Sequence, residues 1–160
     1  MLRYRDASVT DADAHALLAD YFAERAVGFP AEQGEYRPTW PAAEQFTPPA
    51  GVFLVVDDES GTAVGCGGVR RVQRRPETFE VRFEIKHLWL APAARGGGEG
   101  RRLLAELERR AVEYGAQELV LDTNASLAAA GGLYRSSGFV EIEPYNDNPN
   151  ATTWYAKRLH

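Results

Sequence analysis

Four of the chain's fifteen glycines fall within Gly96 to Gly100, directly after Arg95 and directly before Arg101 and Arg102. Backbone without Cβ atoms can turn successive N–H groups toward an anion, and a helix starting here adds roughly half a positive charge at its N-terminus. A phosphate or pyrophosphate is the natural guest. Arg101 and Arg102 in the first turn oppose the helix dipole, a cost of roughly a few tenths of a kcal/mol that an anionic ligand would offset. The P-loop pattern Gly-x-x-x-x-Gly-Lys-Ser/Thr does not fit, because Gly100 is followed by two arginines. The dinucleotide pattern Gly-x-Gly-x-x-Gly fails as well, with Arg101 where the third glycine belongs. What fits is Arg-x-x-Gly-x-Gly, read as Arg95-Gly96-Gly97-Gly98-Glu99-Gly100, shortly after Pro92 closes a strand.

Side chains able to move a proton stand on either side of this loop: Glu84 and His87 before it, Asp122 and Tyr134 after it. Glu84-Ile85-Lys86-His87-Leu88-Trp89-Leu90-Ala91-Pro92 leads into the loop, and Leu133-Tyr134-Arg135-Ser136-Ser137-Gly138-Phe139 lies downstream. Together with the glycine loop, these segments resemble the fourth strand, the acetyl-CoA loop and the Leu-Tyr-x-x-x-Gly-Phe signature of the GCN5-related N-acetyltransferase (GNAT) superfamily. The resemblance runs from about Gly51 to Leu159; the N-terminal part matches in element order only.

The resemblance implies an α/β (α+β mixed) fold: a central mixed, mostly antiparallel sheet of about seven strands flanked by helices and splayed between strands four and five. It implies acetyl-CoA as cosubstrate. The pantetheine arm would bond as an added strand to main-chain groups of Leu88, Trp89 and Leu90. The pyrophosphate would rest on Arg95, Gly96, Gly97, Gly98, Glu99, Gly100 and Arg101. Two positions depart from the family pattern. Glu99 is a carboxylate where relatives carry an apolar residue, adverse if it points inward and favourable to the helix N-terminus if it points out. Leu127 occupies the place of an asparagine found in many relatives; Asn124 could substitute at the cofactor, or serve only as a helix cap.

Acetyl transfer needs a neutral amine, and an alkyl ammonium of pKa about 10.4 is deprotonated only about one part in 2,500 at pH 7, a deficit of roughly 4–5 kcal/mol. A carboxylate held in an apolar sheet can accept that proton directly or through one water. By family position Glu84 is the first candidate and Asp122 the second. Glu84 also reads as an ordinary cross-strand charge partner. Strand alternation puts His87 on the face opposite Glu84 unless a bulge intervenes. Tyr134 matches the family's general acid for the departing thiolate, and strand-four N–H groups could hold the oxyanion of a tetrahedral intermediate. No Gly-x-Ser-x-Gly elbow and no His-Glu-x-x-His pair occurs, and Cys66 stands without a nearby histidine, so neither covalent nor metal chemistry is expected.

The elements that must position these groups follow from patterning. A strand at Leu2–Ala7 precedes a helix with Leu17, Leu18, Tyr21, Phe22 and Arg25 on one stripe. Gly28 to Ala50 carries five of the nine prolines and reads as a long connection with one short helix near Ala42–Phe46. Strands follow at Gly51–Asp57, Thr62–Val72 and Thr78–Leu90, then a helix to Gly115, a strand at Glu118–Asp122, a helix at Ser126–Ser137 and strands at Gly138–Glu143 and Ala151–Leu159. The order βα(α)βββαβαβ gives a mixed sheet with helices on its faces.

In the family the acceptor lies near the first long connection and the loop before the last strand. Trp40, with Tyr36 and Phe46, could wall a pocket, and Tyr145-Asn146-Asp147-Asn148 offers amides, Asn146 foremost, and a carboxylate for a cationic amine.

At 160 residues, 44% hydrophobic, the chain should form a single domain spanning 1–160 with a sizeable core. One cysteine excludes an internal disulfide. No leader and no window of about 18 apolar residues is present, so a cytoplasmic protein without membrane contact is expected. A net charge of −5 argues against nucleic acid as partner and against selective steering of a basic peptide. The expected activity is N-acetylation of a small-molecule primary amine. Acetylation of a protein amine, a non-catalytic acyl-CoA sensor and a nucleotide-phosphate binder are the alternatives. Trp154 and Tyr155 on the last strand could mark the edge of a homodimer, although alternation buries one of the two in any case.

Overall fold

The computed structural model describes residues 1–159. Its elements run β1 (Arg3–Asp6), α1 (Ala12–Gly28), β2 (Gly51–Asp57), β3 (Ala63–Val72), β4 (Arg82–Leu90), α2 (Glu99–Glu113), β5 (Glu118–Thr123), α3 (Ala128–Ser136), β6 (Val140–Ile142) and β7 (Thr153–Arg158). Short 3₁₀ turns lie at Ala31–Gln33, Ala43–Phe46 and Pro92–Ala94. The strands form one seven-stranded sheet in the order β1-β2-β3-β4-β5-β7-β6, antiparallel at every pairing except β4 with β5. This is the mixed, mostly antiparallel sheet that the resemblance implies.

Alternation along the strands divides the apolar residues between two layers. Val52, Leu54 and Val56 of β2 join Phe83, Ile85 and the Leu103, Leu104, Leu107 stripe of α2 in the larger core. Phe53 and Val55 face the other way, onto Leu17, Leu18 and Phe22 of α1. Both layers approach β3 closely. A Cβ on Gly67 would stand 2.9 Å from Leu107 and one on Gly68 2.7 Å from the Phe46 ring, so glycine lets α2 and the Phe46 turn seat on opposite faces of one strand.

Two irregularities shape the region around the functional residues. β4 and β5 pair only at Arg82–Glu118, Phe83–Leu119 and Glu84–Val120, and then separate. In β4, Trp89 opposes Cys66 and Lys86 opposes Gly68, so His87 and Leu88 together face Gly67 in a bulge. His87 takes up the strain with φ 57°, and the buried Cys66 thiol donates to its carbonyl at 3.4 Å.

Several expected boundaries shift for local reasons. β4 begins at Arg82 rather than Thr78, because Phe79 turns the chain with φ 61°. α3 begins at Ala128 rather than Ser126, because the Asn124 side chain accepts the Ser126 N–H at 3.0 Å and holds a turn there. β7 pairs with β5 on one side and β6 on the other, leaving β1 and β6 as the sheet edges. Trp154 and Tyr155 therefore lie on an interior strand, and the expectation that they mark an edge is corrected. Tyr155 is buried in the core, and Trp154 donates its indole N–H to Asn146 at 2.9 Å. Among the described residues no helix is long and apolar enough to cross a membrane.

Candidate active site

The glycine loop joins the β4 end of the opening to α2. Gly96, Gly97 and Gly98 have φ of 91°, 63° and 80°, and a Cβ on Gly96 or Gly97 would meet nothing within 4 Å. Glycine is needed there for backbone direction, not for space. The N–H groups of Gly96, Gly97, Gly98, Gly100 and Arg101 have no acceptor among the described residues, while those of Glu99 and Arg102 close turns onto Gly96 and Gly98. Five unpaired amides at the start of α2 make an anion cradle and fit a pyrophosphate.

The side chains around the cradle are held by the protein. Arg95 donates to the Leu90 carbonyl at 2.8 Å and to Glu24 of α1 at 2.7 and 2.8 Å; Glu24 also accepts from the Trp89 indole at 3.2 Å. Arg95 thus fastens α1 to the end of β4. Arg101 reaches Ser136 and Ser137 at the end of α3, with Nη2 2.8 Å from Ser136 Oγ. Glu99 pairs with Arg102. Asn124 is 2% exposed, and its amide N–H₂ is engaged by Gln33 at 2.6 Å and the Asn150 carbonyl at 3.1 Å. Its side chain ties loops together, and both of its amide N–H groups are engaged within the protein.

From Ile85 to Leu90 the edge of β4 toward β5 is unpaired, which leaves main-chain groups of Leu88 to Leu90 for an added strand. A cavity of about 500 Å³ opens beside this edge, lined by residues of α1, the Tyr36–Phe46 connection, β4, β5, Tyr134 and the loop before β7. Trp40 and Asn146, both expected at the acceptor, line it. The Trp40 ring stacks on His15 at 4.5 Å and meets Phe22 edge-on at 4.9 Å.

The two carboxylates proposed as bases stand in different surroundings. Glu84 is 1% exposed; its Oε1 accepts from Arg70 Nε and Nη2 at 3.0 and 2.9 Å, and its Oε2 from the Tyr145 hydroxyl at 2.6 Å. Arg70 is its direct cross-strand neighbour, so the charge-partner reading describes its contacts. Glu84 does not line the cavity; Asp122 does. Asp122 accepts one amide bond on each oxygen, from Asn146 at 2.7 Å and Asn148 at 3.0 Å, with Lys86 Nζ at 3.7 Å across the opening. Each oxygen keeps capacity to accept a further hydrogen bond.

The bulge brings His87 to the same face as Glu84, where its ring lies among Tyr21, Phe22 and Phe46. Burial, with Lys86, Arg70 and Arg25 nearby, pushes its pKa down to about 3, and its Nδ1 has no partner among the described residues. Apolar spacing carried a signal of this bulge: Phe83, Ile85, Leu88 and Leu90 advance by two, three and two residues. Tyr134 lines the cavity, and its hydroxyl makes no hydrogen bond among the described residues. Burial and the neighbouring Tyr21 push its pKa up, so it carries its proton at neutral pH. Arg70 and Arg25 were not expected in the site, and Tyr145, expected with the acceptor loop, stands on Glu84 outside the cavity lining; the loop pairing and helix register that bring them there arise only in the folded chain.

A splayed mixed sheet with an anion cradle at one end of the opening and a protonated tyrosine in its wall defines an acyl-CoA-binding class of fold. Residues 14–139 match the model of the Acetyltransferase (GNAT) family, and the chain belongs to that family. It is 36% identical to an uncharacterised N-acetyltransferase of Schizosaccharomyces pombe, over 71% of this chain and 66% of that protein. It is 37% identical to an IAA acetyltransferase of Azospirillum brasilense, over 59% of this chain and 58% of that one. The alignment with the N-alpha-acetyltransferase RimI of Mycobacterium tuberculosis is 42% identical over 51% and 48% of the two chains. These alignments span between about half and two-thirds of the relatives' lengths. Among solved structures, a GCN5-related N-acetyltransferase from Kribbella flavida superposes with a TM-score of 0.69 at 25% identity, covering 99% and 98% of the chains. A ribosomal-protein-alanine N-acetyltransferase from Brucella melitensis gives 0.66 at 29% identity, covering 98% and 99%.

Proposed function

We propose that this protein transfers the acetyl group of acetyl-CoA to the nitrogen of a small-molecule primary amine. The observation that carries the reading is the opening between β4 and β5, with unpaired amides at the glycine loop on one side and Tyr134 and Asp122 in a cavity wall on the other. Acetyl-CoA, when bound, supplies the activated acyl group. Gly96 to Gly98, Gly100 and Arg101 hold its phosphates through backbone N–H groups, and the free edge of β4 holds the arm. Tyr134 donates its proton to the leaving sulfur. Asp122, as the carboxylate of the cavity, takes the proton from the amine directly or through one water. Glu84 keeps Arg70 and Tyr145 in place behind the wall and acts as a positioning residue. A cavity of about 500 Å³ walled on one side by the aromatic connection favours a small acceptor over a protein chain.

The test is release of free thiol from acetyl-CoA against a panel of amines. Tyr134→Phe and Asp122→Asn should each lower kcat about 10²- to 10⁴-fold while leaving the Kd for coenzyme A near the wild-type value. Tight coenzyme A binding without acceptor-dependent thiol from any amine would instead describe a sensor.

A further inference from the structure

Among the described residues, the cavity is lined by three cationic side chains, Arg25, Arg70 and Lys86, and a single carboxylate, Asp122. Two of the cations are matched: Arg70 by Glu84 at 2.9 Å and Lys86 by Asp122 at 3.7 Å. Arg25 is not. This half-buried guanidinium makes no ion pair or hydrogen bond among the described residues and lies over the Tyr21 ring, 5.6 Å from its centroid. His87 adds no charge at neutral pH, since burial and these same cations hold it neutral, and it contributes an unpartnered Nδ1. Asp147, the carboxylate that the sequence offered for a cationic amine, does not line this cavity, and the neighbouring amides of Asn146 and Asn148 are turned to Asp122.

We propose that the acceptor is an amine bearing a free carboxylate, an amino acid with an apolar or aromatic body, and that Arg25 binds the carboxylate. This rests on the acetyl-transfer reading. A guanidinium presents a planar fork of donors to a carboxylate and gains most where water is partly excluded. Arg25 lines this cavity, which none of residues 95–101 does, while its neighbour Glu24 is the residue that holds Arg95 of the glycine loop. Helix polarity accounts for a cation in the last turn of α1 but not for one turned into the cavity. Phe22, Tyr36, Trp40 and Phe46 line the same cavity, with Arg70 over the Phe46 ring at 6.0 Å, and give an apolar body surface to pack on in a volume of about 500 Å³ suited to a molecule of amino-acid size. A polyamine would meet the excess of positive charge, and a peptide N-terminus would bring no carboxylate to Arg25.

The experiment measures acetyl-CoA thiol release with the full chain on L-phenylalanine and L-leucine, on the corresponding amino acid amides, and on spermidine and an alanine-initiated peptide. Wild type should show kcat/KM for the acids about 10- to 100-fold above the amides, carried by KM, with spermidine and the peptide below both. Arg25→Gln should collapse the acid-to-amide ratio to within about twofold of one. The ratio is internal to each preparation, so loss of folded protein does not change it. Amides, spermidine or the peptide used as well as the acids, or an acid-to-amide ratio untouched by Arg25→Gln, would overturn the carboxylate proposal and leave acetyl transfer standing. Absence of thiol release with every acceptor would overturn acetyl transfer itself, and this proposal with it.

Discussion

Glu84 and Asp122 occupy neighbouring strands and face the same side of the sheet, yet the register places one behind the cavity wall and the other in it. Both were readable in the sequence as candidate bases. Which of them meets the cavity was not, because that depends on Arg70 of β3 standing opposite Glu84 and on Tyr145, Asn146 and Asn148 folding back over the strands. His87 shows the same dependence, since alternation alone assigns it to the other face and the bulge reverses that. A histidine kept neutral by burial couples folding to pH. In the unfolded chain it binds a proton below about pH 6.5, whereas the folded protein resists protonation down to about 3. Its contribution is therefore fully present above about pH 6.5 and is lost as pH falls, by up to about 1.4 kcal/mol per pH unit. His87→Asn, a residue that tolerates positive φ, should remove this dependence. Urea unfolding at pH 7 and pH 5 should show wild type losing about 2 kcal/mol more than the variant between the two. Equal losses would assign the acid sensitivity to other groups.

The glycine loop is the element most fully legible beforehand, because its constraint is local: consecutive positive φ values are written as consecutive glycines. The bounds of α3 and β4 were less legible, since a side-chain turn at Asn124 and the bend at Phe79 compete with patterns that would otherwise continue. In the aromatic connection from Gly28 to Ala50 the short helix near Phe46 and the pocket-facing Tyr36, Trp40 and Phe46 were legible, whereas the packing of these rings on α1 was not. For the loop, the backbone argument gives a sharp expectation. Gly97→Ala meets no steric obstacle, so its effect comes from φ 63° alone. The variant should lose about 1–2 kcal/mol of stability, or relax the loop and swing its amides away from the cradle. Either response should raise the Kd for coenzyme A about tenfold or more by titration, with the melting curve separating the two. A variant binding coenzyme A like wild type would show that the anion is held elsewhere.

Over the whole molecule, the sheet is two blocks joined by few main-chain bonds. β1 to β4 with α1 and α2 form one block and β5 to β7 with α3 the other, joined by three paired residues between β4 and β5. Side chains add to the joint: Arg101 of α2 holds the end of α3, and Arg75 pairs with Glu118 at 3.1 Å. A ligand lying in the opening would bond to β4 on one side and to groups of the β5 block on the other, and would stabilise the joint as well as its own contacts. The net charge of −5 does not oppose this, because the cradle's amides and Arg101 and Arg102 act within a few ångströms while the total charge acts at screened distances. Coenzyme A at about 100 times its Kd should contribute about 2.7 kcal/mol. For a chain of this size that raises Tm by about 5–10 °C. The same concentration of ATP or NAD can fill the phosphate cradle but offers no pantetheine arm to the free edge of β4, so its shift should stay below about one third of that value. Equal shifts for all three would mean that the phosphate cradle alone carries the affinity, and the unpaired edge of β4 would then have no part in binding.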